Sequence, residues 1–381
     1  MKKVIYKLLS LFSIKNIIVL ESFPTYTDNA KAIYDYLIAN QYNKKYKLIW
    51  FCDNNCKVKL NDENVKIVKV WKNVSKLSLI GLIKYVHYLK KAKYIIYCNR
   101  GIYKINPKSI RLFLNHGILF KKVSDLQIVS SNVDYALCPS NFFKKYYEEQ
   151  LHLKEKQILV MGTPRNDIIN TYQKKNINFS FIQKKYSKII CWLPTFRAHH
   201  DKERLDSHFV YPLGIPIIYD KESLKKIDNL LKKKKTLLLL KMHPAQDMSV
   251  VSDINLDNIK LITDNDLLNN GVSLCEFLFY IDAVLTDYSG IYYDALLSKK
   301  IIGFTIDDIE DYQKERGFIF DNPEEMMAGL KIRKLEDLEK FIVDLANNKD
   351  DYKKDREEII KLLFDKNDGK ACERVVKFLK I

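Results

Sequence analysis

The chain has 381 residues, 47% of them hydrophobic and 29% charged, a composition that excludes a disordered chain and is too long for one ordinary core, so two domains are expected. Lys and Arg (64) outnumber Asp and Glu (47) for a net charge of +17, which calls for an anionic partner: nucleic acid, an anionic membrane surface or an anionic polymer. Seven cysteines without Cys-x-x-Cys spacing argue against a disulfide framework or a zinc site and for a reducing compartment, and no apolar run reaches the ~20 residues of a spanning helix.

Residues 1–15 start basic and apolar, but Lys7 interrupts the run and no small-residue cleavage site follows, so they are not read as a signal peptide. Apolar, β-branched runs of strand length then occur at 17–20, 46–51, 65–70, 94–98, 112–115, 135–138 and 157–161, with helical periodicity at 30–39, 77–91 and 141–151. The stretch 73–97 is a basic amphipathic helix in pattern. It sets Leu77, Ile80, Leu82, Ile83, Val86 and Leu89 beside Lys76, Lys84, Lys90, Lys91 and Lys93. On the stretch alone the favoured reading is a core-packed helix with a solvated lysine face, and membrane-surface binding is the other. No nucleic-acid-binding motif accompanies the basic residues.

A polar stretch at 170–188 reads as an interdomain connection. A second series of strands follows at 189–193, 236–240, 259–262, 283–285 and 301–304, interrupted at 198–219 by an irregular loop, and the tail from 335 is helical in pattern with no strands. Strands alternating with helices imply parallel sheets built from βαβ units. The expected architecture is α/β and GT-B-like: two Rossmann-like doubly wound domains facing across a cleft, at 1–171 and 189–350, joined by a linker at 172–188 and followed by a helical tail at 351–381. Ligands are expected at the carboxyl ends of the strands.

Within that frame, 285–295 is the richest segment. A buried-strand pattern ends in Asp287-Tyr288-Ser289-Gly290 and a helix begins, with Ser289 suited to cap it and Gly290 to let an anion approach the backbone. Four further segments each follow an apolar run: Asn115-His116-Gly117, Gly162-Thr163-Pro164-Arg165-Asn166-Asp167, Leu193-Pro194-Thr195-Phe196-Arg197 and Lys241-Met242-His243-Pro244. His116 and His243 match in position, each ending a strand and each followed by a residue, Gly117 or Pro244, that turns the chain.

In order and spacing these segments, with Val19 to Phe23 and Asp28-Asn29 near the start, resemble the CDP-glycerol glycerophosphotransferase family of teichoic acid and capsule synthesis. The resemblance covers residues from about 16 to about 320. It implies transfer of glycerol phosphate from CDP-glycerol to a hydroxyl of an undecaprenyl-diphosphate-linked or polymer acceptor, with release of CMP. The acceptor oxygen attacks the β-phosphorus, so a base must take its proton and fixed donors must meet the growing charge. By its match to the His-Gly segment, His116 is the expected general base. His243 is the second expected catalytic group, bonding the diphosphate.

Arg197, Thr195, Thr286, Ser289 and Gly290 are the expected diphosphate contacts, Arg197 through its forked guanidinium. Asp287 is expected to hold the loop or a histidine, and Asp294 to act as a structural anchor. Arg165 either reaches the cleft or pins the hinge to Asp167. The surface beside Lys121 and Lys122 suits an anionic acceptor, though a solvated loop is the simpler reading. Asp307-Asp308 lacks a partnering His or Glu, so neither a metal nor any cofactor besides the donor is expected. The segments depart from the family pattern at Asn115 and Phe196, where tryptophan is usual, and at Ser289-Gly290, where two serines are usual. Acceptor and donor polyol therefore stay open, with CDP-ribitol transfer and GT-B nucleotide-sugar glycosyl transfer as alternatives and a non-catalytic polymer- or membrane-binding protein as a third. The expected location is the cytoplasmic face of the membrane, on its anionic inner surface.

Overall fold

The computed structural model describes residues 12–54, 56–60, 62–71, 77–99, 101–123, 133–195, 197, 211–243 and 256–381. The chain divides into two compact units. Residues 1–118, 125–170 and 364–381 form the first, and 119–124 and 171–363 the second.

The first unit is built on a seven-stranded parallel sheet of β1 (Lys15–Glu21), β2 (Lys47–Asp53), β3 (Val65–Trp71), β4 (Ala92–Tyr97), β5 (Ile110–Phe113), β6 (Tyr135–Cys138) and β7 (Ile158–Val160), in the order β3-β2-β1-β4-β5-β6-β7. Runs such as Ile17 to Leu20 and Leu48 to Cys52 are apolar without alternation and buried throughout, as a parallel sheet covered on both faces requires. On one face Ala30, Ile33 and Leu37 of the helix Asp28–Ala39 join Ile18, Leu20, Leu48, Trp50 and Ile96 in one core.

The second unit repeats the plan with β8 (Lys188–Leu193), β9 (Thr236–Leu240), β10 (Ile259–Leu261), β11 (Ala283–Thr286), β12 (Ile301–Thr305) and β13 (Leu330–Ile332), in the order β10-β9-β8-β11-β12-β13. Its core sets Ile190, Trp192, Leu238, Leu240 and Leu285 against Leu224, Ile227 and Leu231 of the helix Lys221–Lys233 and Leu338, Phe341 and Ile342 of the helix Leu335–Ala346. In both units the strand order reverses beside the first strand, at β1/β4 and at β8/β11, which is where a doubly wound sheet opens a crevice.

Three expectations change. The stretch read as a linker belongs to the second unit: Phe179 is buried and its ring meets those of Phe181, Phe277 and Tyr280, so aromatic packing replaces the missing helical period. The tail divides. Residues up to 363 stay with the second unit, whereas the helix Ala371–Leu379 joins the first unit's core through Cys372, Val375, Val376 and Leu379. The basic amphipathic helix, Leu79–Leu89, buries only Gly81, Tyr85 and Leu89. Gly81 lies so close to the sheet that a Cβ there would come within 1.9 Å of the Val70 carbonyl oxygen. Leu79, Ile80, Leu82, Ile83 and Val86 stay exposed, so the favoured core-packed reading of this face does not hold. β13 was not expected at all, because three residues are too few to show a period.

The Asp167 carboxylate accepts the N–H groups of Ala371 and Cys372, each at 2.8 Å, at the first turn of the last helix. Asp167→Ala is expected to cost about 1–2 kcal/mol and Asp167→Asn less, with hydrogen exchange over the helix Ala371–Leu379 rising before the rest of the first unit.

Candidate active site

β8 and β11 pair with Thr286 opposite Leu193, so the turns beyond them leave the sheet side by side. Asp287, the first residue after β11, is buried and accepts both the N–H of Thr195 (3.0 and 2.8 Å to its two oxygens) and the Thr195 hydroxyl (2.6 Å). The Thr286 hydroxyl donates back to the Leu193 carbonyl at 3.0 Å. Arg197 completes the block. Its Nε and Nη2 donate to Asp308 at 2.7 and 3.2 Å, and Nη1 donates to the Thr195 carbonyl at 2.8 Å and lies 3.1 Å from Asp287 Oδ2. The rings of Tyr211, Tyr288 and Tyr312 surround the guanidinium carbon at 5.6, 5.4 and 5.0 Å, and the Tyr288 hydroxyl donates to Asp308 at 2.9 Å. Burial by itself would lower the Arg197 pKa; the carboxylates of Asp287 and Asp308 outweigh it and hold the guanidinium charged.

Arg197, Thr195 and Thr286, expected on the diphosphate, are therefore brought together with their donors turned inward onto protein acceptors. The carboxylates that engage Arg197, those of Asp287 and Asp308, lie far along the chain, which is why its spacing from strand β8 alone pointed outward. Asp307 is likewise engaged, accepting from the Tyr211 and Tyr219 hydroxyls (3.1 and 2.6 Å) and the Ile217 N–H (3.0 Å).

Ser289 and Gly290 remain half-buried at the start of the helix Ile291–Leu297. Gly290, with an ordinary φ of −62°, is the residue that caps it, and the Ser289 carbonyl accepts the Tyr292 N–H at 3.1 Å, so the cap expected of Ser289 has moved by one residue. Asp294 is fully buried in that helix. His243 is exposed beyond β9, where Lys241 is buried and paired with Asp264 at 2.8 Å. β9, β8, β11 and β12 are neighbours, so His243, Thr195 to Arg197, Asp287 to Gly290 and Asp307-Asp308 all follow the carboxyl ends of adjacent strands. Phe196, Pro244 and most of the loop expected at 198–219 lie outside the described residues. Lys121 and Lys122 belong to the second unit, within which Lys121 makes an antiparallel bridge with Phe318 and the Lys122 N–H donates to the Gly317 carbonyl at 3.0 Å.

In the first unit His116 is exposed beyond β5. Asn115 before it takes the left-handed backbone, φ 60°, and turns its side-chain oxygen back to accept the His116 N–H at 2.8 Å. Arg165 Nη1 donates to Asp28 at 2.8 Å and to the His116 carbonyl at 2.8 Å, whereas the Asp167 carboxylate is engaged by the last helix. The Arg165 guanidinium thus holds the histidine turn. Gly117 is half-buried, 3.9 Å from Arg165 Nη2 if given a Cβ. The side chains of Asp28 and Asn29 went unassigned in the sequence. Their position directly after the switch-point strand β1 was the available signal.

Two doubly wound units of Rossmann order, with histidines and capped turns at the carboxyl ends of their strands, define a GT-B-like enzyme. The family model of CDP-glycerol:poly(glycerophosphate) glycerophosphotransferases matches residues 5–380, and the chain belongs to that family, whose members are transferases. It is 27% identical over 258 residues to the teichoic acid ribitol-phosphate primase of Bacillus spizizenii, a match that spans 66% of this chain and 60% of that relative. To the teichoic acid glycerol-phosphate transferase of Staphylococcus aureus it is 25% identical over 402 residues, covering 97% of this chain and 94% of the relative. The solved wall teichoic acid polymerase TagF superposes with a TM-score of 0.70 at 22% identity, over 96% of this chain and 89% of that one, which shows a shared fold.

If the ionic block has the role its geometry indicates, Arg197→Met leaves two buried carboxylates unpaired and lowers stability by about 3–5 kcal/mol. Arg197→Lys keeps the charge but loses the fork, and is expected to fall between Arg197→Met and the wild type. Thermal unfolding checks this; lost donor affinity with unchanged stability would instead assign Arg197 to the ligand.

Proposed function

We propose that this transferase moves glycerol phosphate from CDP-glycerol to a hydroxyl of a lipid-linked or polymer acceptor, releasing CMP, at the cytoplasmic face of the membrane. The observation that carries the reading is His116, an exposed imidazole on a turn that side chains hold from beneath, within a chain matched end to end by the family model. Its imidazole takes the proton of the attacking hydroxyl as general base. The donor diphosphate is met by His243 and by the Ser289-Gly290 turn. Arg197, Thr195 and Thr286 serve that turn from behind by fixing its position. Similarity to a ribitol-phosphate primase favours CDP-ribitol as the second donor to test.

Peripheral attachment is supported by the helix Leu79–Leu89. Leu79, Ile80 and Ile83 are 79%, 67% and 66% exposed, and residues 77–93 carry four lysines and no acidic residue. Such a face can enter the headgroup region of an anionic bilayer, with each lysine near the surface contributing about 1 kcal/mol.

His116→Ala is expected to lower acceptor-dependent CMP release from CDP-glycerol by 100-fold or more, with an undecaprenyl-diphosphate-linked disaccharide as acceptor. If CMP release stays at the wild-type rate, the base lies elsewhere; if UDP or GDP is released from a nucleotide sugar instead, the enzyme is a glycosyltransferase. Replacing Ile80 and Ile83 together by Asp is expected to abolish co-sedimentation with phosphatidylglycerol vesicles while sparing turnover of a water-soluble acceptor analogue. Undiminished vesicle binding would remove this helix from the membrane contact.

A further inference from the structure

We infer that Asn29 is a positioning residue for His116, acting on the backbone of the Asn115-His116 turn; the inference rests on the reading of His116 as the base. Asn29 is 2% exposed, one residue into the helix that follows β1, and its amide is used at both ends. Nδ2 donates to the Asn115 carbonyl at 2.9 Å, and Oδ1 accepts the Arg165 N–H at 3.0 Å. The Asn29 N–H in turn donates to Asp28 Oδ1 at 2.8 Å, the same oxygen that accepts Arg165 Nη1.

The histidine turn is thereby held at three consecutive backbone groups. Asn29 holds the carbonyl before His116, the Asn115 side chain holds the His116 N–H, and Arg165 holds the His116 carbonyl. Asn115 needs this support, because a left-handed conformation is costly for a residue with a Cβ and persists where the surroundings determine it. The peptide plane between Asn115 and His116 sets where the exposed imidazole starts from, and Asn29 is the group that fixes the carbonyl of that plane. It also fixes the backbone of Arg165, so one buried amide couples the turns after β5 and β7 to the helix at the switch point. An amide is the chemical requirement. Asp at this position keeps the acceptor for Arg165 but sets an oxygen against the Asn115 carbonyl, and Ala removes both bonds.

A general base displaced by about 1 Å from its line of attack loses on the order of 100-fold in rate. The test is kcat for CMP release and, by titration calorimetry, the Kd for CDP-glycerol in wild type, Asn29→Ala, Asn29→Asp and His116→Ala. Both Asn29 variants are expected to lower kcat tenfold or more with donor Kd within twofold of wild type, Asp falling as far as Ala despite its nearly equal shape. The inference is overturned if Asn29→Asp keeps wild-type kcat, or if kcat and donor affinity fall together as in a misfolded protein. An active His116→Ala would overturn the base assignment itself; an inactive His116→Ala beside fully active Asn29 variants would overturn the positioning role alone.

Discussion

Burying both faces of a parallel sheet is the constraint on which the rest of this protein depends. Once strands such as β1, β2, β8 and β9 are apolar on both sides, each connection must cross over the sheet, and polar side chains gather in the turns at the strand ends. The groups assigned to chemistry all lie in such turns: His116 after β5, Arg165 after β7, His243 after β9 and Ser289-Gly290 after β11.

The two units make their turns rigid by different means. In the second, charge does it: Arg197 lies between two carboxylates and among three tyrosine rings, and so ties the turns after β8, β11 and β12 together. Such a buried cluster is expensive to desolvate and tolerates no missing partner, which suits a fixed platform better than a hand that must release a phosphate. In the first unit neutral amides carry more of the load. Asn29 and Asn115 bond backbone groups directly, and the ion pair of Asp28 with Arg165 adds the bond to the His116 carbonyl.

The exposed face of the helix Leu79–Leu89 belongs to the same economy of surfaces. Its buried stripe runs Gly81, Tyr85, Leu89, a spacing of four that is narrower than a core-facing helix ordinarily shows, and Gly81 brings the helix backbone against the β3 edge. With the helix seated through its smallest residue, Leu79, Ile80 and Ile83 meet no internal surface among the described residues. The apolar content of the stretch was plain in the chain; which third of it faced inward was not.

Much was legible in the amino-acid sequence because strand runs and strand-end motifs are local. Twelve of the thirteen described strands, the doubly wound class and the segments around His116, His243 and Ser289 could be read from periods and spacings a few residues long. What could not be read depends on contacts between residues far apart in the chain. Arg197 and Asp308 are separated by 111 positions, Asn29 and Arg165 by 136, and the helix Ala371–Leu379 completes a core begun at Ile18. The sequence by itself determined which turns hold the proposed site residues, since a sheet buried on both faces leaves the strand ends as the place where a ligand can meet it. Only the tertiary structure decided which of those polar groups face outward and which are bonded beneath, because a hydrogen-bond donor takes the nearest acceptor in space, whatever its distance along the chain.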